Sequence, residues 1–275
     1  MQKTLYISDL DGTLLTPQKE LSPRTVEIIN RLLDQGMLFS VATARSAATA
    51  VELLSPLRLS APGVLLNGAL IYDFAKKEYV DCAPISYEAA KQALQVLEAC
   101  ARPPFLYTLD HNEVCVEFVR LANPHEQAFF ESRKGKAYKR FEQVDALQIH
   151  PTDQIIYFTL QDSREVLQPL YEAMEKIPGL RAAFYKDNYS DVYYLELFSE
   201  AASKSNGVQK IKKLCAAEKI VAFGDNYNDL DMLRISDVGV VVEDGVGAAK
   251  EAADVIIEPS SRDSVARYLA AHWRI

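Results

Sequence analysis

Two acidic clusters carry the residue types and spacing that could do chemistry. Asp9-Leu10-Asp11-Gly12-Thr13 sets two carboxylates one residue apart, then a glycine and a hydroxyl, directly after the apolar run Leu5-Tyr6-Ile7. Carboxylates so spaced face one pocket while the chain stays extended, and Gly12 permits a tight turn away from it. Gly224-Asp225-Asn226-Tyr227-Asn228-Asp229 follows a second apolar run, Ile220 to Phe223. Its aspartates and asparagines are the hard oxygen donors that Mg²⁺ prefers, and carboxylates gathered at one edge need a cation or protons to coexist. Thr43-Ala44-Arg45 offers a hydroxyl, backbone donors and a guanidinium where a helix begins, an arrangement suited to phosphate oxygens. Lys204 opens another helix, where a cation opposes the helix dipole. A buried anion beside Lys204 accounts for that placement, and so does a solvated lysine at a frayed end. Helix capping is the plainer account of Thr43, Asn228 and Asp229.

This inventory suits phosphoryl transfer, which needs an in-line nucleophile, positioning and cancellation of charge on the transferring oxygens. A carboxylate can serve as the nucleophile, forming an aspartyl phosphate and splitting one displacement into two. Rival signatures are missing from the sequence: G-x-x-x-x-G-K-[ST], H-E-x-x-H and G-x-S-x-G do not occur. The histidines at 111, 125, 150 and 272 are scattered and read as surface residues. Gly245-Val246-Gly247 reads as turn chemistry, and Arg133-Lys134-Gly135-Lys136 as a solvated turn.

The elements that must position these residues alternate strand and amphipathic helix, the pattern of a doubly wound parallel sheet. Leu5 to Ile7 is predicted as a strand, followed by a helix with Ser22 as N-cap, Pro23 in its first turn and Gly36 at its end. Its apolar stripe is Val26, Ile29, Leu32 and Leu33. Met37 to Ala42 is predicted as the second strand, 46–54 as a helix, and Val64 to Leu66 as a third strand. The theme resumes with a helix over 204–216, strands 220–223, 238–242 and 255–257, helices 229–235 and 246–253, and a last helix from Arg262. Between these halves the pattern changes. A helix over 87–100 precedes strands 105–109 and 113–119, joined as a hairpin, then a strand 155–160, a helix 164–176 and strands 181–185 and 192–197. Short connections of this kind make antiparallel pairs.

The chain has 275 residues, 49% of them hydrophobic and 25% charged, which is globular composition large enough for one big α/β domain or a core plus a smaller module. Lys plus Arg number 30 against 38 Asp plus Glu, a formal net charge of −8. Such a surface repels nucleic acid, because phosphate binding rests on clustered cations. No apolar stretch approaches the roughly 20 residues of a membrane helix, and Asp9 arrives too early for a signal peptide. A cytoplasmic protein without membrane or nucleic-acid partners is expected. Cys82, Cys100, Cys115 and Cys215 stand too far apart for structural zinc and are expected to be buried free thiols.

The motifs, in their order along the chain, resemble those of the haloacid dehalogenase-like (HAD) phosphatases, and most nearly their Cof-like subclass IIB. The resemblance rests on D-x-D-G-T at Asp9 to Thr13, Thr-x-Arg at Thr43 to Arg45, Leu66-Asn67-Gly68-Ala69, a lone Lys204, and G-D-x-x-N-D at Gly224 to Asp229. It implies a Rossmann-like α/β core over residues 1–83 and 198–275 and an inserted α+β cap over 84–197 that closes on the site and selects the substrate. It implies that Asp9 is the nucleophile and a Mg²⁺ ligand, and that Asp11 is the general acid and base, its backbone carbonyl on the metal. Thr43 and Lys204 would hold the phosphoryl oxygens, Asp225 would complete the ligands, Asn228 would orient phosphate, and Asp229 would support the metal shell. Gly12, Thr13, Ala44, Arg45 and Asn67 belong to the same motifs as supporting residues. Tyr107, Glu117, Tyr157, Tyr193 and Glu196 are the cap residues that could choose the substrate.

Three features depart from the family pattern. Ala44 replaces a usual glycine, Ser205 replaces a glycine after the lysine, and Val242-Glu243-Asp244-Gly245 adds negative charge where Met-Gly-Asn is common. The implied activity is hydrolysis of a small phosphorylated metabolite, a sugar phosphate or a phosphorylated cofactor, with Mg²⁺. A sugar phosphomutase using the same aspartyl phosphate is the alternative, and a phospho-acceptor regulatory domain is a third reading.

Overall fold

The computed structural model describes residues 3–187 and 190–273. The chain divides into two compact units, Met1–Asp81 with Ser203–Ile275, and Cys82–Ala202. The changeovers thus fall a few residues from the joints at 83/84 and 197/198 expected from the sequence.

The first unit begins with strand β1 (Thr4–Ser8), a wide turn closed by the Leu15 N–H on the Leu10 carbonyl at 2.9 Å, and helix α1 (Pro23–Asp34). Ser22 caps α1, its hydroxyl accepting from the Thr25 N–H at 3.0 Å, with Pro23 in the first turn where its missing N–H costs nothing. Strand β2 (Leu38–Val41), helix α2 (Ala47–Leu54) and strand β3 (Gly63–Leu65) follow. Here the expectation needs correction. β3 touches the parallel sheet through one bridge, Ala42 to Val64, and pairs instead with β4 (Leu70–Asp73) in an antiparallel sheet completed by β5 (Glu78–Cys82). The chain reverses immediately after Leu66, so β4 is the nearest available partner.

The second unit contains α3 (Tyr87–Ala99), β6 (Phe105–Asp110), β7 (Glu113–Phe118), α4 (Pro124–Glu131), β8 (Lys139–Gln143), β9 (Ile155–Asp162), α5 (Arg164–Met174), β10 (Leu180–Lys186) and β11 (Tyr193–Ser199). Its six-stranded sheet has the order β10-β11-β9-β6-β7-β8. Alternate residues such as Leu106, Phe158, Leu195 and Leu197 form a core with Leu94 and Leu97 of α3 and Leu167 and Leu170 of α5. Helix α4 and strand β8 were not foreseen, because Pro124 and the polar 139–143 segment disguise them. Of the cysteines only Cys115 is buried. Cys100 is exposed at the end of α3, past its last apolar turn, against the expectation of a buried thiol. The four histidines are exposed, as the sequence suggests.

The chain returns to the first unit through α6 (Lys204–Leu214), β12 (Lys219–Gly224), α7 (Leu230–Ile235), β13 (Val238–Val242), α8 (Gly247–Glu251), β14 (Val255–Ile257) and α9 (Ser264–His272). The parallel sheet has the order β14-β13-β12-β1-β2. Leu5, Ile7, Ile220 and Ala222 face a core shared with α6, α7 and α8, while Phe223 on the other face meets Tyr268 of α9. Both faces are therefore covered, the doubly wound Rossmann-like arrangement. The order reverses between β1 and β12, and the edge beyond their carboxyl ends is where open α/β sheets bind ligands. No helix among the described residues is long and apolar enough to cross a membrane.

One buried acid of the second unit gives a test. Glu126 of α4 is 3% exposed, and its Oε2 accepts from the Ala122 N–H at 2.6 Å. Burial pushes its carboxyl up to about 7, although that N–H pulls the other way. The folded protein thus holds this proton more tightly than the unfolded chain, so stability is full below the unfolded value of about 4.3 and is lost as pH rises through about 7. Glu126→Gln keeps an acceptor without the charge. Its advantage over the parent in urea unfolding should grow by on the order of 2 kcal/mol between pH 5 and pH 8; an advantage that does not change with pH would refute the assignment.

Candidate active site

Strands β1 and β12 pair in parallel with Ile7 opposite Ala222 and Ser8 opposite Phe223. Their carboxyl ends therefore deliver Asp9 and Asp225 to the same edge, and the ladder runs one step further as the Asp9 N–H bonds the Phe223 carbonyl at 2.9 Å. Thr13 Oγ1 then donates to Asp225 Oδ1 at 2.6 Å, joining the two motifs by a side-chain hydrogen bond. Gly12 (φ +86°) is required here, since a Cβ would stand 2.4 Å from Asp225 Oδ2.

Behind this edge lies Lys204, 2% exposed at the first position of α6. Its Nζ donates to Asp9 Oδ1 at 2.5 Å and to Asp229 Oδ1 at 2.7 Å. Asp229 is fully buried, and its other oxygen accepts the N–H groups of Asp225 and Asn226, both at 3.0 Å. Lys204 thus has the buried anion that its place at a helix start called for, and Asp229 folds its own motif while tethering the lysine. Burial alone would pull the Lys204 ammonium down, but Asp9 and Asp229 together hold it above its ordinary value.

Carboxylate oxygens of Asp9, Asp225 and Asp229 lie within 4.8 Å of one another. Burial pushes Asp9 up to about 7 against the pull of Lys204, with Asp229 and Asp225 adding to the rise. Burial also raises Asp225 to about 6, assisted by Asp229 and opposed by the Thr13 hydrogen bond. Three carboxylates share one ammonium, so the cluster has too little positive charge of its own. Asp9 Oδ2 and Asp225 Oδ2 accept no hydrogen bond from the described residues, whereas both oxygens of Asp229 are engaged. Hard, unshared oxygens and a deficit of positive charge fit a divalent cation such as Mg²⁺.

The carboxylate of Asp11 points elsewhere. Arg45 grips it with two parallel bonds, Nε to Oδ2 at 2.7 Å and Nη2 to Oδ1 at 2.6 Å. Burial works against ionisation of Asp11, but the hydrogen bonds and charge of Arg45 outweigh it and hold the carboxyl below its ordinary range. Nothing in the one-residue spacing signalled that Asp9 and Asp11 would find such different partners. Thr43 is buried and its Oγ1 accepts from the Arg45 N–H at 3.1 Å, so it does cap the turn. Asn228 Nδ2 donates to Asn67 Oδ1 at 3.1 Å.

The departures from the motif pattern are accommodated locally. Ala44 has no positive φ, so no glycine is needed there. Ser205 Oγ pairs with Ser203 Oγ at 2.9 Å. Asp244 spends its carboxylate on the Ser260 N–H and hydroxyl, at 3.1 and 3.0 Å. In the second unit, Tyr107, Tyr157, Tyr185 and Glu196 share one sheet face, where burial pushes the Glu196 carboxyl up against the pull of Tyr157 and Tyr185. Glu117 lies on the other face, opposite Leu106, and Tyr193 packs there against Phe184.

The family model described as haloacid dehalogenase-like hydrolase matches residues 6–269. The chain is 26% identical to a pyridoxal phosphate phosphatase of Escherichia coli over 96% of both chains. It is 27% identical to a 5-amino-6-(5-phospho-D-ribitylamino)uracil phosphatase of Bacillus subtilis over 98% of both. A crystal structure of a haloacid dehalogenase-like hydrolase from Bacteroides thetaiotaomicron superposes with a TM-score of 0.74 at 22% identity, covering 98% of this chain and 99% of that one.

The Lys204 bridge makes a stability prediction. Removing one member of a buried ion pair costs about 3 to 5 kcal/mol, because the partner charge is left uncompensated. Lys204→Ala should lose about that much in metal-free urea unfolding, and adding Asp229→Asn should recover part of it. Fully additive losses would show that the three groups are not coupled.

Proposed function

The chain belongs to the haloacid dehalogenase-like hydrolases, and on that premise we propose that it is a Mg²⁺-dependent phosphatase that cleaves a small phosphorylated metabolite through an aspartyl phosphate on Asp9. It is an enzyme of the phosphoric monoester hydrolase class. The observation that carries the finer reading is the buried Lys204 bridge, which holds Asp9 at the end of β1 beside Asp225 at the end of β12.

In the proposed sequence, an oxygen of Asp9 attacks phosphorus in line with the leaving oxygen, and the bond to that oxygen breaks as Asp11 gives it a proton. Water then attacks the aspartyl phosphate, Asp11 takes the proton of that water, and the bond to Asp9 breaks to release inorganic phosphate. Lys204, with the Thr43 hydroxyl and the Asn228 amide, holds the phosphoryl oxygens, and the positive charge of Lys204 offsets what develops on them. Held by Asp9, Asp225 and the Asp11 carbonyl, with Asp229 in support, Mg²⁺ would supply further charge neutralisation. Arg45 engages both oxygens of Asp11, so the acid role requires that pair to open when substrate arrives. Gly12 and Thr13 keep Asp225 close, and the Asn67 N–H on the Thr43 carbonyl helps hold the turn that follows Thr43.

The second unit, Cys82–Ala202, is assigned the part of a cap that selects substrate. The named substrates of the two full-length relatives are small phosphate compounds, which supports a phosphorylated cofactor or sugar phosphate here. The net charge of −8 disfavours polyanionic substrates.

Asp9→Asn should abolish release of phosphate from an aryl phosphate, and Asp11→Ala should lower kcat by about 10²- to 10⁴-fold. Chelation should stop turnover and added Mg²⁺ restore it. An Asp9→Asn protein that still turns over, or turnover indifferent to chelator, would refute the mechanism.

A further inference from the structure

Three consecutive residues, Leu66, Asn67 and Gly68, have left-handed backbone, with φ of 47°, 51° and 105°. Asparagine tolerates this region and leucine does so poorly, so the turn persists only because its surroundings hold it. The Leu66 N–H bonds the Arg45 carbonyl at 3.1 Å, and the Asn67 N–H bonds the Thr43 carbonyl at 3.0 Å. Asn67 Oδ1 accepts from Asn228 Nδ2 at 3.1 Å. A Cβ on Gly68 would stand 2.2 Å from the Ser203 carbonyl oxygen, so the turn lies directly against the peptide leading into Lys204. A turn of three residues, none of them titratable, therefore touches the segments that carry Thr43, Lys204 and Asn228.

We propose that Asn67 is a positioning residue for the phosphoryl group, setting the Thr43 segment through its left-handed backbone and the Asn228 amide through its side-chain oxygen. The inference rests on the phosphatase reading above. One amide hydrogen of Asn228 is spent on Asn67, and the second is left to meet a phosphoryl oxygen. Asparagine suits both tasks. Glycine would serve the backbone but offer no acceptor, alanine would serve neither, and aspartate would bring a further negative charge toward an anionic ligand.

The test is a double-mutant cycle of Asn67→Gly and Asn228→Ala, read as KM and kcat for an aryl phosphate and as inhibition by inorganic phosphate. Glycine accepts this backbone and position 228 is exposed, so both variants should fold. Asn67→Gly should raise KM and the inhibition constant roughly tenfold with a smaller change in kcat. The double variant should be no worse than Asn228→Ala alone. Asn67→Ala should in addition melt roughly 3 °C below Asn67→Gly. Asn67→Gly binding phosphate like the parent, or losses that multiply in the double variant, would overturn the proposal. Asp9→Asn assayed alongside separates the two failures, because only its continued turnover would sink the phosphatase reading itself.

Discussion

The ammonium of Lys204, buried between Asp9 and Asp229, is the interaction around which the first unit is organised. A lone ammonium cannot remain charged in such a place, and neither can either carboxylate. Each charge is tolerable because the others are there. The three residues come from the end of β1, the start of α6 and the turn after β12, so closing this bridge fixes three separate stretches of chain at once. Asp229 strengthens the arrangement by accepting the N–H groups of Asp225 and Asn226, which otherwise would end a strand without partners. Buried ion pairs add little net stability compared with apolar packing. Holding a charged cluster here is therefore better explained by the chemistry proposed for it than by the fold.

Strand pairing makes the bridge possible. Because β1 lies between β2 and β12, the strand order reverses beside β1, and its carboxyl edge is the place where open α/β sheets bind ligands. The apolar residues of β1 and β12 alternate between two helix-covered faces, so a slip of either strand by one residue would carry its share of Leu5, Ile7, Ile220 and Ala222 away from the core of α6, α7 and α8 and onto the opposite face. The register that protects the core is thus also the register that sets Asp9 beside Asp225. Thr13 and Gly12 complete the junction, one by a hydrogen bond and the other by having no side chain to keep Asp225 away.

Much of this was legible in the sequence. D-x-D-G-T after one apolar run and G-D-x-x-N-D after another mark two strand ends, and a lysine where a helix dipole disfavours it signals a buried anion. Element identities were clear where apolar periodicity is strong, as in α1, β9 and α5. They were hidden where it is weak. β8, Lys139–Gln143, is almost wholly polar because its residues lie half-buried or exposed at a sheet edge. β4 and β5 were missed because their partner β3 read as a member of the parallel sheet. Side-chain direction was equally obscure: Tyr193 packs on the helix-covered face of its sheet while Glu196 faces the other way, a difference that only strand register decides. The Arg45 grip on Asp11 spans 34 positions in sequence and has no local signature.

That grip matters for the chemistry. Two carboxylates one residue apart perform different tasks only if their surroundings push them apart. Here the protein's own groups push them in the direction opposite to the one the proposed reaction needs: burial and neighbouring acids raise Asp9, the proposed nucleophile, to about 7, and Arg45 holds Asp11, the proposed acid, low. A nucleophile must be ionised and an acid must carry its proton. On the proposed mechanism the order would reverse if a cation were held beside Asp9 and Asp225 and a substrate dianion drew Arg45 off Asp11. Competence would then be assembled by the ligands themselves, and an aspartate primed for attack would exist only while there is a phosphoryl group for it to receive.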